Sequence, residues 1–354
     1  MNERNKKLEI GQQTVFFESS ESMEELESNS IDLIVTSPPY NRGKEYSSDF
    51  GEFYNDKKDE NNYLSFLTDV WKECYRVGKI DCVFYLNIGD SAKDQGISEK
   101  VALSAEKASW IRIQDIVWVK SFLGKGHYTP SGGNKRFNNI WEHVYLFVKD
   151  INEYKLSPKA IGIPYADKSN IGRYSDEDLR DAGNVWFIPY YKTSGAKIKK
   201  GHEAPFPIGL PYRCIKSVPK VRSVLDPFGG TCTTLAACLS LNKKGYAYEK
   251  YPRIDVIKSR IGEGKNYQEE EDSLIPHLEQ SVDILSELLS SGTFHLEKID
   301  SKKSFRELSI LNDVLKNLNI NNKFQKKVMQ RLQEYTCNST SKKENKRSYV
   351  QKTF

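Results

Sequence analysis

Two short segments carry side chains that could do chemistry, and each follows an apolar run. The first is Thr36-Ser37-Pro38-Pro39-Tyr40, after Ile31 to Val35. The second is Asp226-Pro227-Phe228-Gly229-Gly230-Thr231-Cys232-Thr233-Thr234, after Arg222 to Leu225. In open α/β sheets ligands bind beyond the carboxyl ends of the strands, so two such loops, distant in sequence, can face one crevice. Pro38 and Pro39 have a plain reading as a strand stop and a rigid turn. Their chemical reading comes from the demands of a planar exocyclic amine, whose lone pair is delocalised and which is therefore a poor nucleophile. The Ser37 hydroxyl and the Pro38 carbonyl, fixed by the two prolines, can accept its two N–H bonds. Tyr40 offers a plane on which an extruded base can stack. That chemistry needs neither a metal nor a covalent intermediate.

The second segment also has two readings. As structure, its glycines allow a tight turn and Thr233-Thr234 cap the following helix. As a site, Gly229 and Gly230 let the backbone approach a nucleoside cofactor, Phe228 packs on it, and Asp226 offers a carboxylate to a cationic group. Glu249, at the end of GYAYE and about twenty residues on, is placed to accept both hydroxyls of a ribose. This spacing fits NAD and S-adenosylmethionine equally. No Gly-Lys-Ser/Thr follows, so the loop is not a phosphate-cradling P-loop.

The elements that position these loops follow from the apolar pattern. Ile31 to Val35 and Cys82 to Ile88 read as strands flanking a helix over Tyr63 to Val77, whose Leu64, Leu67, Val70, Trp71 and Tyr75 lie near helical spacing. Ile113 to Val119 and Trp141 to Val148 read as two more strands, joined by a glycine-containing loop long enough to be functional. Later, Leu210 to Ser217 reads as helix, Arg222 to Leu225 as strand, Thr233 to Leu241 as helix and Gly245 to Glu249 as strand. The class is α/β. Residues 150–201 read as a loop-rich insertion outside the main sheet. After Gly264, Leu274, Leu278, Val282, Leu285 and Leu289, then Leu308, Leu311, Leu315 and Leu318 behind a Ser304–Glu307 capping box, describe a helical extension.

Composition narrows the class. With 38% hydrophobic and 29% charged residues among 354, the chain has the make-up of a folded protein, not a disordered one. No apolar run is long enough to span a membrane and the opening MNERNKKLEI is no secretory signal, which leads us to expect a cytoplasmic protein without a membrane partner. The six cysteines form no C-x-x-C pair and the five histidines no H-x-x-x-H, so neither disulfides nor a metal site are expected. From Lys192 to Arg222, eight basic residues face one acid, Glu203, a bias suited to phosphates.

With IDLIVTSPPYN at 31–41 first and SVLDPFGGTCTTLAAC at 223–238 later, the chain resembles the beta-class amino DNA methyltransferases, over roughly residues 30–262. HEAPFPIGLPYRCIKS at 202–217 resembles the motif that precedes the cofactor strand in that family. The resemblance implies a Rossmann-like class I methyltransferase fold, with a mostly parallel seven-stranded sheet and an antiparallel strand near one edge. It implies S-adenosylmethionine as cofactor and double-stranded DNA as substrate, with base flipping. Residue by residue, it assigns Ser37, Pro38, Pro39 and Tyr40 to target-amine binding and catalysis. It assigns Asp226, Phe228, Gly229, Gly230, Thr231 and Glu249, with His202 and Phe206, to cofactor binding. Cys232 departs from the pattern, standing where the family has a glycine, and cysteine tolerates positive φ less well.

Serine in place of aspartate before Pro38-Pro39 leans the target toward N4 of cytosine, with N6 of adenine as the alternative. The expected role is modification in a restriction–modification system, beside a cognate restriction endonuclease that shares the recognition site without direct contact. Monomer and dimer are both compatible with the sequence. The expected organisation is a catalytic domain over 1–264 with target recognition in 150–201, a helical extension over 265–338 and a basic tail over 339–354. Residues 41–63, NRGKEYSSDFGEFYNDKKDENNY, are placed to close over an extruded base. A nicotinamide-dependent dehydrogenase would leave TSPPY without a role. A DNA-binding regulator with a decayed cofactor pocket is the alternative from another class.

Overall fold

The apolar runs become strands buried on both faces. A computed structural model describes residues 6–267 except 42, 44, 91–93, 121–136, 138, 163–164, 166–167, 174–175 and 189–205. Along β6 (Gly78–Ile88), Phe84, Leu86 and Ile88 enter one core while Val83 and Tyr85 enter another. Along β8 (Trp141–Val148), Tyr145 and Phe147 part from Val144, Leu146 and Val148 in the same way. Such strands need helices on both faces. On one side lie α1 (Glu60–Val77) and α2 (Ile97–Lys107), and on the other α3 (Gly209–Lys216) and α4 (Thr233–Ser240). α5 (Ile254–Glu263) packs Ile257 and Ile261 into a third cluster with Val15, Leu235 and Ala247.

The remaining strands are β1 (Lys7–Ile10), β2 (Gln13–Phe16), β3 (Ile31–Thr36), β7 (Ile111–Val119), β9 (Val185–Phe187), β10 (Ser223–Asp226) and β11 (Lys244–Tyr248), besides a separate hairpin of β4 (Glu45–Ser47) and β5 (Phe53–Asn55). The main sheet has the order β1-β2-β11-β10-β3-β6-β8-β7-β9. Five of its eight pairings are parallel; β8 runs against both neighbours and β1 against β2. The expected seven strands correspond to β2 through β7 of this order, and β1 and β9 extend the edges.

β9 corrects the reading of 150–201 as wholly outside the sheet. It pairs with β7, Trp186 is buried, and Trp118 Nε1 donates to the Ile188 carbonyl at 2.8 Å. Three residues are too few to show a period of two, so the sequence pattern could not reveal this strand. The chain divides into two units, Met1–Ile163 with Arg180–Leu274, and Pro164–Leu179 with Ile275–Phe354. In the second unit, the Tyr165 amide donates to Asp178 Oδ1 at 3.0 Å. The helical extension and basic tail fall, from residue 268 onward, outside the described residues. No helix among the described residues is long and apolar enough to cross a membrane.

Asp32 pins the centre of the sheet. Its Oδ2 accepts the amides of Arg222 and Ser223, at 2.9 and 2.8 Å, while Lys79 pairs with Oδ1. Burial works against the charge, but Lys79 and the amides hold the carboxyl below its ordinary value. A depressed folded value means that the stabilisation is present above the unfolded value and is lost as pH falls through the folded one. Asp32→Asn is therefore expected to lower unfolding free energy by about 1–2 kcal/mol at pH 7. That deficit should shrink as the pH falls below about 4 in denaturant titrations.

Candidate active site

Parallel pairing of Val224 with Leu33 and of Leu225 with Ile34 sends the loops after β3 and β10 out of the same end of the sheet. Asp226 then joins them. Its Oδ1 accepts Thr36 Oγ1 at 2.6 Å and the Phe228 amide at 3.1 Å, and its Oδ2 accepts Thr234 Oγ1 at 2.7 Å. The carboxyl is 1% exposed, and burial pushes it up to about 6 although all three hydrogen bonds favour the charged form. Both oxygens are thus engaged inside the protein, so Asp226 braces the two loops instead of presenting a free carboxylate. Thr234 spends its hydroxyl on that brace, and α4 has Cys232 as its N-cap with no side-chain cap bond, which corrects the reading of Thr233-Thr234 as capping residues.

The glycine loop has three distinct backbone demands. At Gly229 a Cβ would lie 2.9 Å from the Cβ of Ala247, and its amide donates to the Tyr248 carbonyl at 2.8 Å. Gly230 is left-handed, with φ +53°, and its amide donates to Glu249 Oε2 at 2.8 Å. Cys232 is also left-handed, with φ 64°, and its fully buried side chain packs among Val15, Leu235 and Ala247. Burial pushes its thiol well above the usual range. Glu249 accepts the Tyr251 amide on its other oxygen at 2.8 Å; burial is the main cause that raises the carboxyl to about 7. Phe228 meets Phe66 and Trp71 of α1, with ring centroids at 5.9 and 5.8 Å. Thr231 is buried, its hydroxyl 3.3 Å from that of Thr233, which also accepts Arg260 Nε. Arg260 reaches the carbonyl of Phe206 at 3.5 Å, which ties α5 to the segment before α3.

In the first loop, Tyr63 of α1 donates its hydroxyl to the Pro39 carbonyl at 2.7 Å, which fixes the double-proline turn. Pro38 is buried, whereas Ser37 and Tyr40 keep partial exposure. Ser37 Oγ donates to the Tyr40 hydroxyl at 3.2 Å, and that hydroxyl donates to Glu142 Oε2 at 3.0 Å. Glu142 is paired with Lys120 at 2.7 Å, with both side chains nearly buried, and also accepts Asn87 Nδ2 at 3.2 Å. Burial alone would raise the Glu142 carboxyl. The charge and hydrogen bond of Lys120, helped by Tyr40 and Asn87, hold it below its ordinary value. Beside Glu142 opens a cleft lined by Asp90, Gln95, Asn139, Trp141 and His143. Sequence reasoning missed Lys120, Glu142, Asn87 and Tyr63; the available signal was a charged residue at the end of one apolar run, Lys120, and another at the start of the next, Glu142.

The predicted residues therefore fall into two neighbouring groups, Ser37 to Tyr40 and Asp226 to Thr231 with Glu249, joined by the Thr36–Asp226 bond. His202 lies outside the described residues, as do Lys192, Lys197, Lys199 and Lys200 of the basic stretch. Arg213 and Lys216 lie on α3. In the segment after Tyr40, the β4–β5 turn reaches α5: the Asp49 amide donates to the Pro252 carbonyl at 3.0 Å and Asp49 Oδ2 accepts the Ile254 amide at 2.7 Å.

A family model described as DNA methylase, N6_N4_Mtase, matches residues 31–258. The type II methyltransferase M.MjaI of Methanocaldococcus jannaschii is 29% identical over 288 residues, covering 70% of this chain and 90% of that protein. The type II methyltransferase M.HpaI of Haemophilus parainfluenzae is 28% identical over 260 residues, covering 71% and 74%. Among solved structures, the cytosine-N4-specific PvuII DNA methyltransferase superposes with a TM-score of 0.50 at 19% identity, over 72% of this chain and 91% of that one, which supports a shared fold.

The loop geometry reverses the usual order of substitutions at Cys232. Glycine removes the cost of the left-handed turn, roughly 1 kcal/mol, and this offsets most of the lost thiol packing. Alanine loses the packing and keeps the strain. Cys232→Gly is expected to unfold within about 1 kcal/mol of the parent, and Cys232→Ala to lose about 1–2 kcal/mol, measured by equilibrium denaturation.

Proposed function

Because the chain belongs to the N6_N4_Mtase family of DNA methylases, we propose that it transfers a methyl group from S-adenosylmethionine to the exocyclic N4 of cytosine in double-stranded DNA, at a specific site and after extruding the base. The observation that carries this reading is the hydrogen bond from Thr36 to Asp226, which brings a loop of amine acceptors against a glycine loop shaped for a nucleoside. The residues present fit the cofactor. Glu249 keeps lone pairs on both oxygens beyond the two amides that it accepts, which suits the two hydroxyls of a ribose, and around Gly230 a Cβ would meet nothing closer than 4.0 Å, so the backbone is open to approach. Phe206, tethered by Arg260, and His202 complete the proposed cofactor set. When bound, S-adenosylmethionine supplies a methyl group on a sulfonium centre.

The chain's own residues do the rest. Ser37 Oγ and the Pro38 carbonyl hold the two N–H bonds of the target amine, which turns its lone pair out of the ring plane and toward the methyl group. Tyr40 stacks on the extruded base, and the turn fixed by Tyr63 keeps Pro38 and Pro39 in place. Serine at position 37 supports cytosine N4 over adenine N6. The left-handed turn at Cys232, with the Gly230–Glu249 bond intact beside it, favours a working cofactor pocket over a decayed one. The biological role that follows is protection of DNA from a restriction endonuclease that reads the same site without contacting this protein.

The deciding experiment incubates the protein with S-adenosylmethionine and unmodified genomic DNA, then analyses the nucleosides by mass spectrometry. N4-methylcytosine is expected; N6-methyladenine would keep the chemistry and change the target, and neither product would overturn the reading. Ser37→Ala is expected to lower turnover far more than DNA affinity, whereas Tyr40→Ala should weaken DNA binding by about 1–3 kcal/mol. A third expectation concerns pH. Glu249 must be ionised to accept two hydroxyls, and its carboxyl stands at about 7 in the free protein, so cofactor affinity should fall as pH drops below 7. Calorimetric titration of Glu249→Gln should show weaker binding without that slope.

A further inference from the structure

The reading of Ser37 as an acceptor raises a problem of polarity, because a serine hydroxyl both donates and accepts. If its proton pointed at the target amine, it would oppose the N–H bonds it is meant to receive. The structure contains a chain of hydrogen bonds that removes this freedom. It begins at Lys120, whose ammonium lies 2.7 Å from Glu142 Oε1, with both side chains nearly buried. Glu142 Oε2 accepts from Tyr40 OH at 3.0 Å and from Asn87 Nδ2 at 3.2 Å, and Asn87 is itself anchored on the His143 carbonyl at 3.0 Å. An ionised carboxylate has no proton to give, so the one proton of Tyr40 points to Glu142. The Tyr40 oxygen is then left to accept, and it accepts the one proton of Ser37 at 3.2 Å. Ser37 Oγ retains only lone pairs for a ligand. Gly89 makes room for this arrangement, because a Cβ there would lie 2.6 Å from Glu142 Cγ.

We propose that Glu142, held ionised by Lys120, is a positioning residue that orients the protons of Tyr40 and Ser37 so that Ser37 meets the target amine purely as an acceptor. The proposal rests on the methyl-transfer reading of the same site. Glu142 acts through Tyr40 and touches neither the base nor the methyl group. A neutral glutamine at this position no longer fixes the direction, because it can turn either its carbonyl or its amide toward Tyr40 and Asn87 Nδ2. Wherever the amide faces Tyr40, the Ser37 proton turns toward the target. The shape of the site is preserved while its polarity is no longer imposed.

The test compares the full-length parent, Glu142→Gln, Lys120→Met/Glu142→Gln, Tyr40→Phe and Tyr40→Phe/Glu142→Gln. The Lys120→Met/Glu142→Gln protein removes both charges together, so it carries the test if an unpaired buried lysine unfolds Glu142→Gln. Both glutamine variants on the Tyr40 background should bind S-adenosylmethionine within about twofold of the parent and keep its KM for DNA, while kcat falls roughly tenfold to a hundredfold. On the Tyr40→Phe background the relay is already cut, so adding Glu142→Gln should change kcat by less than about twofold. An unchanged kcat in a folded glutamine variant, in a parent that methylates DNA, overturns the proposal alone. So does an equal fall in kcat with and without the Tyr40 hydroxyl, which would mark Glu142 as merely structural. A parent that methylates neither cytosine nor adenine overturns the functional reading, and the proposal with it.

Discussion

A single buried carboxylate, Asp226, ties together the two candidate loops. It sits at the last position of β10, β3 lies next to β10 in the sheet, and the last residue of β3 is the Thr36 that bonds to it. Thr234 bonds to its other oxygen from the first turn of α4, so strand, loop and helix converge on one side chain. The arrangement is costly, since burial pushes the carboxyl up to about 6 in spite of its donors. What it secures is register. Two loops separated by nearly two hundred residues cannot slide relative to one another without leaving a buried acid unbonded.

Three carboxylates at this end of the sheet have three different environments, and the differences sort their roles. Asp226 has hydroxyl and amide partners but no cation, and it braces. Glu142 is nearly buried too, yet Lys120 at 2.7 Å keeps it charged, and a charged acceptor imposes direction on the hydroxyls that reach it. Glu249 has only backbone donors and stands at about 7, with room left on both oxygens. The brace and the proposed polariser and binding group are distinguished by their partners, a pair of hydroxyls, a lysine and two backbone amides.

The sequence pattern was most informative where strands are long and buried on both faces. Ile31 to Val35, Cys82 to Ile88 and Trp141 to Val148 stand in the sheet within a few residues of their apolar runs. β9 was invisible because three residues have no period. The candidate loops could be found because a proline pair and a glycine pair directly after apolar runs are conspicuous in sequence. Their supports could not. Asn87, Lys120 and Glu142 are ordinary polar residues in sequence, and only the antiparallel pairing of β8 with β6 and β7 brings Glu142 beside Asn87 and Lys120. Polar networks that cross between strands have no local signature, since their logic lies in register.

Cys232 shows the same point from the opposite side, as a residue that breaks a local rule which the fold then accommodates. A left-handed turn is needed there because the chain must reverse from Gly230 into α4, and the Cys232 amide closes that turn on the Gly229 carbonyl at 2.6 Å. Glycine would meet this demand at no steric cost, but it would leave empty the space that the thiol shares with Val15, Leu235 and Ala247. The other two positions allow no such exchange. A side chain at Gly229 would collide with Ala247, and one at Gly230 would add a second strained residue to the turn. Of the three positions, only Cys232 turns its side chain into the core, and there a residue other than glycine gains packing that offsets the strain of the turn.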